Sequence, residues 1–482
     1  MEGTHFKEAL AHEIFNRIST VAADLELECY VIGGFVRDYL LQRGQPTDID
    51  FVTVGSGITL AQQVAEKLPG KPKVSIFRNF GTAMIKYGDL QLEFVGARRE
   101  SYNRNSRKPI VENGTLSDDQ KRRDFTINAL ALSLNPNDFG KLLDPFNGIS
   151  DLKQGIIRTP LEPDITYSDD PLRMIRAIRF AAQLNFTIST ESLASITSNH
   201  QRLSIVSRER IVDELHKIML TSTPSIGLSL LHQTGLMQEI LPELLALQGV
   251  QEVEGQRHKD NFWHTLEVVD NIARNTQDLW LRWAALLHDI GKAPTKRFDK
   301  KLGWTFHNHE FVGSKMVYRI FKRLRLPLNE KLKYVQKLVM MSSRPIVLAN
   351  DFITDSAVRR LIFDAGEDVY DLMTLCEADI TTKNPKKQER YLRNFALVRQ
   401  KMNEVEARDH IRNFQPPVSG ETIMKTFGLP PSREIGLIKD AIKEAILEGE
   451  IPNETPAAFE FMLQKGAALG LKPLKSKNTT TS

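Results

Sequence analysis

Residues 47–55 read TDIDFVTVG, and they decide the fold class. Side chains alternate across a strand, so Asp48 and Asp50 share one face while Ile49 and Phe51 take the other. Two carboxylates on one face repel each other and lose hydration, which leaves an N-cap, a solvated strand end or a bound cation. Hard oxygen ligands favour magnesium or manganese. Immediately upstream, ECYVIGG reads as a strand ending in a glycine turn, and FVRDYLLQ as a helix that starts there. The turn at Gly33 and Gly34 lets backbone amides approach an anion, and Arg37, one helical turn on, can bind phosphate oxygens. Neither a P-loop nor a GxGxxG fingerprint is present. Glycine turn, arginine and DxD strand together suggest a nucleoside triphosphate held on two metals, with an incoming hydroxyl as nucleophile.

Working outward, ITLAQQVAEKL reads as a helix, and KVSIFR, TAMIKY and LQLEFVG as further strands. Glu93, in the last of these, is either a third carboxylate or an ordinary strand-surface glutamate. The stretch 97–114, ARRESYNRNSRKPIVENG, is polar and basic and reads as a loop. After residue 165 strand signals fade and helical periodicity takes over. The expected class is α+β, with a mixed-sheet head followed by a long all-helical body. No repeat of fixed period occurs.

The chain has 482 residues, too many for one core, with 41% hydrophobic and 26% charged residues and a net charge of +4. That mildly basic balance permits a nucleic-acid partner without demanding one. Two distant cysteines, Cys29 and Cys376, exclude a disulfide framework and fit a reducing compartment. No signal pattern and no run of about 18 apolar residues is present, so a cytoplasmic enzyme with no membrane span is expected.

GGFVRDYLL at 33–41, TDIDFVTVG and RRDFTINAL at 122–130 resemble the class II tRNA nucleotidyltransferases, the CCA-adding enzymes, and the related bacterial poly(A) polymerases. The resemblance continues in order through DPFNGISDL, DDPLRMIRAIRFAAQLNF and SRERIVDEL. It implies a polymerase-beta-like nucleotidyltransferase head that adds C, C and A to tRNA from CTP and ATP. It also implies two Mg2+ ions on Asp48 and Asp50, with Glu93 as the candidate third carboxylate. Gly33, Gly34, Arg37 and Arg123 are then triphosphate contacts, and Asp124 a ribose contact. CC-adding, A-adding and poly(A)-making relatives are the alternatives within the same chemistry.

Base choice has a physical logic of its own. DDPLRMIRAIRF reads as a helix with Pro171 in its first turn, placing Asp170 and Arg173 one turn apart. A carboxylate only accepts hydrogen bonds and a guanidinium only donates. Cytosine and adenine both offer an amine beside an accepting ring nitrogen, whereas guanine and uracil present the reverse. One Asp–Arg pair therefore accepts C and A and rejects G and U, matching the template-free readout of the family. Arg176 and Arg179 drift around the helix and are expected at phosphate or primer. The family usually has Glu-Asp where this chain has Asp169-Asp170. In SRERIVDEL, Ser207 is the expected N-cap, and Arg208, Glu209 and Arg210 are read as structural.

A second cluster follows: His264 in FWHTL, His288-Asp289 in LLHDIGK and Asp379 in CEADI. This H…HD…D order resembles the HD phosphohydrolases. Imidazole and carboxylate ligands suit transition metals or magnesium, here Mn2+ or Ni2+, and a metal-bound water can hydrolyse a phosphate ester. His309 is a further ligand or phosphate contact. The segment LVMMSSRPIVL carries no histidine, and the alternative is a vestigial domain that faces tRNA. The expected domains are a head at 1–158, a helical neck with the base-selecting helix at 159–250, an HD domain at 251–385 and a helical tail at 386–482. The last ten or so residues are expected to be disordered. A metal phosphohydrolase whose head only binds nucleotide is the alternative of another class.

Overall fold

The structure is a computed structural model; it describes residues 6–474 except Gln45, 104–105, 254–255, 258, 351–353 and Asn413. The expected disordered end therefore lies almost wholly outside the described residues. The chain divides into two compact units, Met1–Leu245 and Ala246–Ser482.

The first unit is built on a seven-stranded sheet. Its strands are β1 (Cys29–Ile32), β2 (Asp48–Thr53), β3 (Val74–Phe77), β4 (Thr82–Tyr87), β5 (Leu90–Gly96), β8 (Ala131–Ser133) and β9 (Leu142–Leu143), in the order β3-β4-β5-β2-β1-β8-β9. Only β2 and β5 run parallel, in a register that sets Asp50 opposite Glu93 and Asp48 opposite Gln91. On the other side Asp50 faces Ile32 of antiparallel β1. The strand pattern read from the sequence is thus realised. Ile49 and Phe51 are buried, and Phe51 stacks on Phe94 of β5 with centroids 4.9 Å apart. Phe15 from α1 (Glu13–Asp24) packs against Phe51 and against Phe35 of α2 (Gly34–Leu40). Each such aromatic contributes about 1.5–3 kcal/mol on burial, which anchors one face of β2 and leaves the acidic face free for chemistry. α3 (Gly57–Lys67) is N-capped by the Ser56 hydroxyl, which accepts from the Thr59 amide at 3.1 Å.

The stretch 97–114 is not a loop. It forms β6 (Arg98–Asn103) and β7 (Ser106–Asn113), an antiparallel ribbon pairing Arg98 with Asn113 and irregular between Ser101 and Asn103. A two-stranded ribbon is held by backbone hydrogen bonds and needs no apolar face in its sequence, so hydrophobic alternation was absent as a signal. α4 (Leu116–Lys121) follows, with Thr115 and Asp118 closing a capping box.

Helices then dominate: α5 (Gly148–Gln154), α6 (Pro163–Asp169), α7 (Leu172–Leu184), α8 (Thr190–Asn199) and α9 (Arg208–Met219). Strand pairing does not stop at residue 165, because β10 (Ile156–Ile157) pairs in parallel with β11 (Thr187–Ile188). Pro171 is the N-cap of α7, and Asp170 precedes it in extended backbone. Ser207 is the N-cap of α9 by position, but its hydroxyl makes no capping bond.

The second unit is helical, apart from two short ribbons pairing Glu252–Val253 with Gln256–Arg257 and Arg297–Asp299 with Gly303–Thr305. Helix Asn261–Asn275 is capped by Asp260 and helix Leu279–Leu287 by Asp278. Phe262, Trp283 and Phe321 are fully buried in its core. Among the described residues no helix is long and apolar enough to cross a membrane.

Candidate active sites

Gly33, the N-cap of α2, has φ +84°, a conformation in which any other residue is strained. A Cβ there would lie 3.1 Å from Arg123 Nη1, 3.5 Å from Asp50 Oδ2 and 3.7 Å from the Asn128 carbonyl oxygen. The glycine turn, the strand acid and the second-motif arginine therefore meet at one spot. Arg123 is aimed there by Asp119, which accepts from its Nε at 3.2 Å and also pairs with Arg122. Asp119 itself is fully buried. Burial pushes the Asp50 carboxyl above its ordinary range; Arg123 opposes this, and Asp48 and Asp119 add to it. Burial likewise raises Glu93, with Asp50 adding, Arg98 opposing and Asp48 adding. Asp48 and Asp50 share one strand face and Glu93 stands beside Asp50 in register, and an oxygen-only set of this kind suits a hard divalent ion.

Asp124 is the hub of a buried network. Its Oδ1 accepts from the Phe125 amide at 2.9 Å and from Asn128 Nδ2 at 3.0 Å. Its Oδ2 accepts from Arg176 Nε and Nη2 at 2.8 and 2.6 Å. Burial raises this carboxyl, but the Arg176 charge and the hydrogen bonds from Asn128 and Arg176 win and hold it at about 2. Its four acceptor positions are filled inside the fold, leaving none open for a ribose. Arg37 is also buried, donating to Asn128 Oδ1 at 2.8 Å and to both carboxylate oxygens of Asp38. Arg179 lies 2.6 Å from Glu214 and 3.8 Å above the Phe180 ring, which Arg37 and Arg176 also approach at 5.1 and 5.6 Å. Arg37, Arg176 and Arg179, expected at phosphate or primer, are thus engaged inside the protein.

The Arg173 amide donates to the Asp170 carbonyl at 3.0 Å, but the two side chains do not bond to each other. Asp170 accepts from Arg210 at 2.9 Å and from the Leu172 amide at 3.2 Å, and Arg173 donates to the Arg122 carbonyl at 2.6 Å. Each is steadied by a third group, with further hydrogen-bonding positions to spare. Sequence reasoning missed Asp119, Asn128 and Glu214 and gave Arg210 only a structural part. The four-residue spacings 119–123 and 124–128 were the one signal available.

The second centre is compact. One ligand atom each from His264, His288 and Asp379 lies within 4.8 Å of the others, the one such group of His, Cys, Asp and Glu among the described residues. His264 Nε2 is 2.6 Å from Asp379 Oδ1. Asp289 Oδ2 lies 3.4 Å from His288 Nε2 and 3.7 Å from His264 Nε2, and also holds Lys292 at 2.7 Å. His309 Nε2 reaches Asp289 Oδ1 at 3.9 Å. All three imidazoles use Nδ1 outward: His264 toward Lys259 and Thr381, His288 on the Ala285 carbonyl, His309 on the Phe306 carbonyl. Nε2 is thereby turned inward, the orientation a metal ligand needs. His288 Nε2 is buried without a hydrogen-bond partner. Burial lowers His288, but Asp289 and Asp379 overcome it and raise the imidazole to about 10, while Asp289 and Asp379 are held below the carboxylate range. A proton there does what a cation would do, so the donor set fits a metal. A cavity of about 410 Å³ adjoins Asp379, lined also by Lys259, Thr381, Tyr391 and Phe395.

Comparison with known proteins bears on the family of the chain. The family model of the Poly A polymerase head domain matches residues 29–158, that of the probable RNA- and SrmB-binding site of polymerase A residues 185–247, and that of the HD domain residues 261–382. The A-adding tRNA nucleotidyltransferase of Deinococcus radiodurans is 32% identical over 91% of this chain and 95% of its own length. The A-adding enzyme of Aquifex aeolicus is 33% identical over 68% of this chain, but only 42% of that protein is covered. The Multifunctional CCA protein of Xylella fastidiosa is 33% identical over 73% of this chain and 83% of that one. The fold is also that of the Thermotoga maritima CCA-adding enzyme solved with tRNA, with TM-score 0.62, 21% identity, and 97% and 99% of the two chains covered. A nucleotidyltransferase head with its acids opposite a glycine turn, an adjoining helical segment that matches the polymerase A binding-site model and an HD domain make this chain a member of the tRNA nucleotidyltransferase family.

Proposed function

We propose that this chain adds C, C and A in turn to the 3′ end of tRNA, taking CTP and ATP without a template. The observation that carries the reading is the meeting of Asp50, Arg123 and the Gly33 turn, with Glu93 beside Asp50 in register. Asp48, Asp50 and Glu93 would hold Mg2+ in this reading; two such ions, when bound, activate the RNA 3′-hydroxyl and neutralise the triphosphate. The Gly33–Gly34 backbone and Arg123 orient the phosphates. Asp170 accepts the exocyclic amine of C or A, and Arg173 donates to the neighbouring ring nitrogen. Arg210 and the Arg122 carbonyl steady that pair. Arg37, Arg176, Arg179 and Asp124 keep α7 at the right height over the sheet rather than touching substrate. The four-part division at 158, 250 and 385, and a cytoplasmic site of action, belong to the same reading.

Addition of A alone is the second reading, favoured by the match that covers 95% of the Deinococcus A-adding enzyme. Transcripts ending before CCA, after C and after CC, each offered one nucleotide at a time, separate the two. Ordered incorporation of C, C and A supports the first reading, and incorporation of A only after CC overturns it.

In the HD domain, His264, His288, Asp289 and Asp379 would hold Mn2+ or Ni2+, with the adjoining cavity receiving a phosphate ester. Metal-dependent opening of a 2′,3′-cyclic nucleotide to the nucleoside monophosphate, absent in His288→Ala, tests this. Equal turnover in that variant rejects it.

A further inference from the structure

Residues 292–325 carry ten Lys or Arg and two acidic residues, a formal +8 in a chain whose total is +4, so the remainder is net negative. Both acids already accept hydrogen bonds within the protein. Asp299 accepts from the Lys301 and Leu302 amides in the turn of its ribbon, at 2.7 and 2.9 Å. Glu310 accepts from Ser343 and lies 3.3 Å from His309 Nδ1. Lys292 pairs with Asp289 at 2.7 Å, and the segment as a whole keeps a net positive charge.

Helix His309–Leu324 sorts its residues sharply. Val317, Ile320, Phe321 and Leu324 are buried, while Phe311, Lys315, Tyr318, Arg319 and Lys322 are exposed. Phe311, Lys315, Tyr318 and Lys322 stand at i, i+4, i+7 and i+11, which puts them in one stripe. Phe311 is 47% and Tyr318 44% exposed, unusual for aromatics on a helix with a complete buried face. Lys315 Nζ sits 4.0 Å from the Phe311 ring centroid. Among the described residues, Lys315, Arg319 and Lys322 have no carboxylate partner.

We infer that this stripe is an RNA-docking surface of the HD domain, taking a single strand whose bases stack on Phe311 and Tyr318 and whose phosphates meet Lys315, Arg319 and Lys322. Charge complementarity selects the occupant: unpaired cations with aromatics between them suit a polyanion that carries π-faces, and suit an acidic peptide less. The spacing suits it too. Seven residues advance a helix by about 10 Å, roughly three base steps at about 3.4 Å each. The helix begins at His309, beside Asp289, so a strand lying along it starts at the candidate metal centre. This surface is distinct from the base-selecting pair and does not depend on it.

The test uses the full chain and a labelled single-stranded RNA of about ten nucleotides, with binding followed by fluorescence anisotropy across salt. Crosslinking of a 4-thiouridine version, read by peptide mass spectrometry, locates the contact. Expected are crosslinks within 309–324 and a loss of about tenfold or more in affinity for Phe311→Ala/Tyr318→Ala. Lys315→Gln/Lys322→Gln is expected to reduce the slope of log K against log salt by about 1.4, two phosphate contacts on a single strand. Nucleotide incorporation at saturating primer stays at the wild-type rate in both variants. Crosslinks confined to the first unit, with unchanged affinity in both variants, overturn the proposal. So does loss of binding in the lysine variant alone with the aromatic variant intact, because a base-independent anion surface then suffices.

Discussion

Asp50 shows how a single side chain can be costly to the fold and necessary to the chemistry. Its carboxyl is raised by burial and by Asp48 and Asp119, with only Arg123 opposing. A raised carboxyl stabilises the fold fully at pH below its ordinary range and loses that contribution as pH rises through the raised value. At neutral pH the ionised group is therefore a burden in the absence of metal. Asp50→Asn is expected to melt at or above wild type without metal, to lose the Mg2+-induced rise in melting temperature, and to lower incorporation at least about a hundredfold. A lowered metal-free melting temperature would show the carboxylate to be structural. Asp124 has the opposite sign. Its carboxyl is held at about 2, below the usual value, so its contribution is present above about pH 4 and lost as pH falls toward 2. The shift corresponds to about 2–3 kcal/mol, and Asp124→Asn is expected to cost that amount or more at pH 7 because Arg176 loses its close charge partner and keeps only Glu214 at 3.7 Å. Denaturant unfolding at pH 7 and pH 2.5 checks both arms: the gap between variant and wild type should shrink to roughly a third at the lower pH.

At the scale of elements, the head was legible wherever a strand or helix buried one face. β2 announced itself through Ile49 and Phe51, and its acids through the opposite parity. The β6–β7 ribbon was not legible, because a backbone-held ladder leaves no hydrophobic period to read. The candidate site was half legible. Gly33, Asp50 and Arg123 come together as their motifs implied, but sequence could not say that Arg37, Arg176 and Arg179 are engaged by Asn128, Asp124 and Glu214. Those pairings join residues far apart in the chain, and no local spacing encodes them. A contact of the same long-range kind controls the HD motif. A Cβ on Gly291 would lie 2.0 Å from the His309 carbonyl oxygen and 2.7 Å from the Gly313 amide, both backbone atoms of helix His309–Leu324. Its φ of −76° is ordinary, so the penalty is overlap and not strain. Gly291→Ala is expected to cost several kcal/mol, beyond the usual 1–3 for overpacking, since backbone must move. Gly436→Ala, at an exposed position of helix Arg433–Glu448 and with nothing inside 4 Å of the new Cβ, is the control and should be neutral to stabilising by up to about 1 kcal/mol. Chemical denaturation of the two variants decides it: equal midpoints would mean that the packing of that turn is looser than the distances say.

Across the whole molecule, two candidate metal centres differ in kind, one made of carboxylates alone and one mixing imidazole with carboxylate. Softer nitrogen donors raise affinity along the transition-metal series, whereas an all-oxygen set gains little over magnesium. Added Ni2+ or Mn2+ should therefore protect the second unit at concentrations where Mg2+ does little there, and Mg2+ should act on the first. The expected rise is about 5–10 °C for a unit of this size with metal near 100 times its Kd. Hydrogen exchange during heating assigns each shift to its unit. His288→Ala should abolish the Ni2+ effect on helices Asn261–Asn275 and Leu279–Leu287 and leave the Mg2+ effect on β2 and β5 intact, and Asp50→Asn should do the reverse. Each His288 imidazole must also shed its proton as metal enters, since it is held at about 10 without one. Calorimetry at pH 8 in buffers of different ionisation enthalpy should then register about one proton released per Ni2+ in wild type. Binding with no proton release would mean that the metal sits elsewhere than on His288 Nε2.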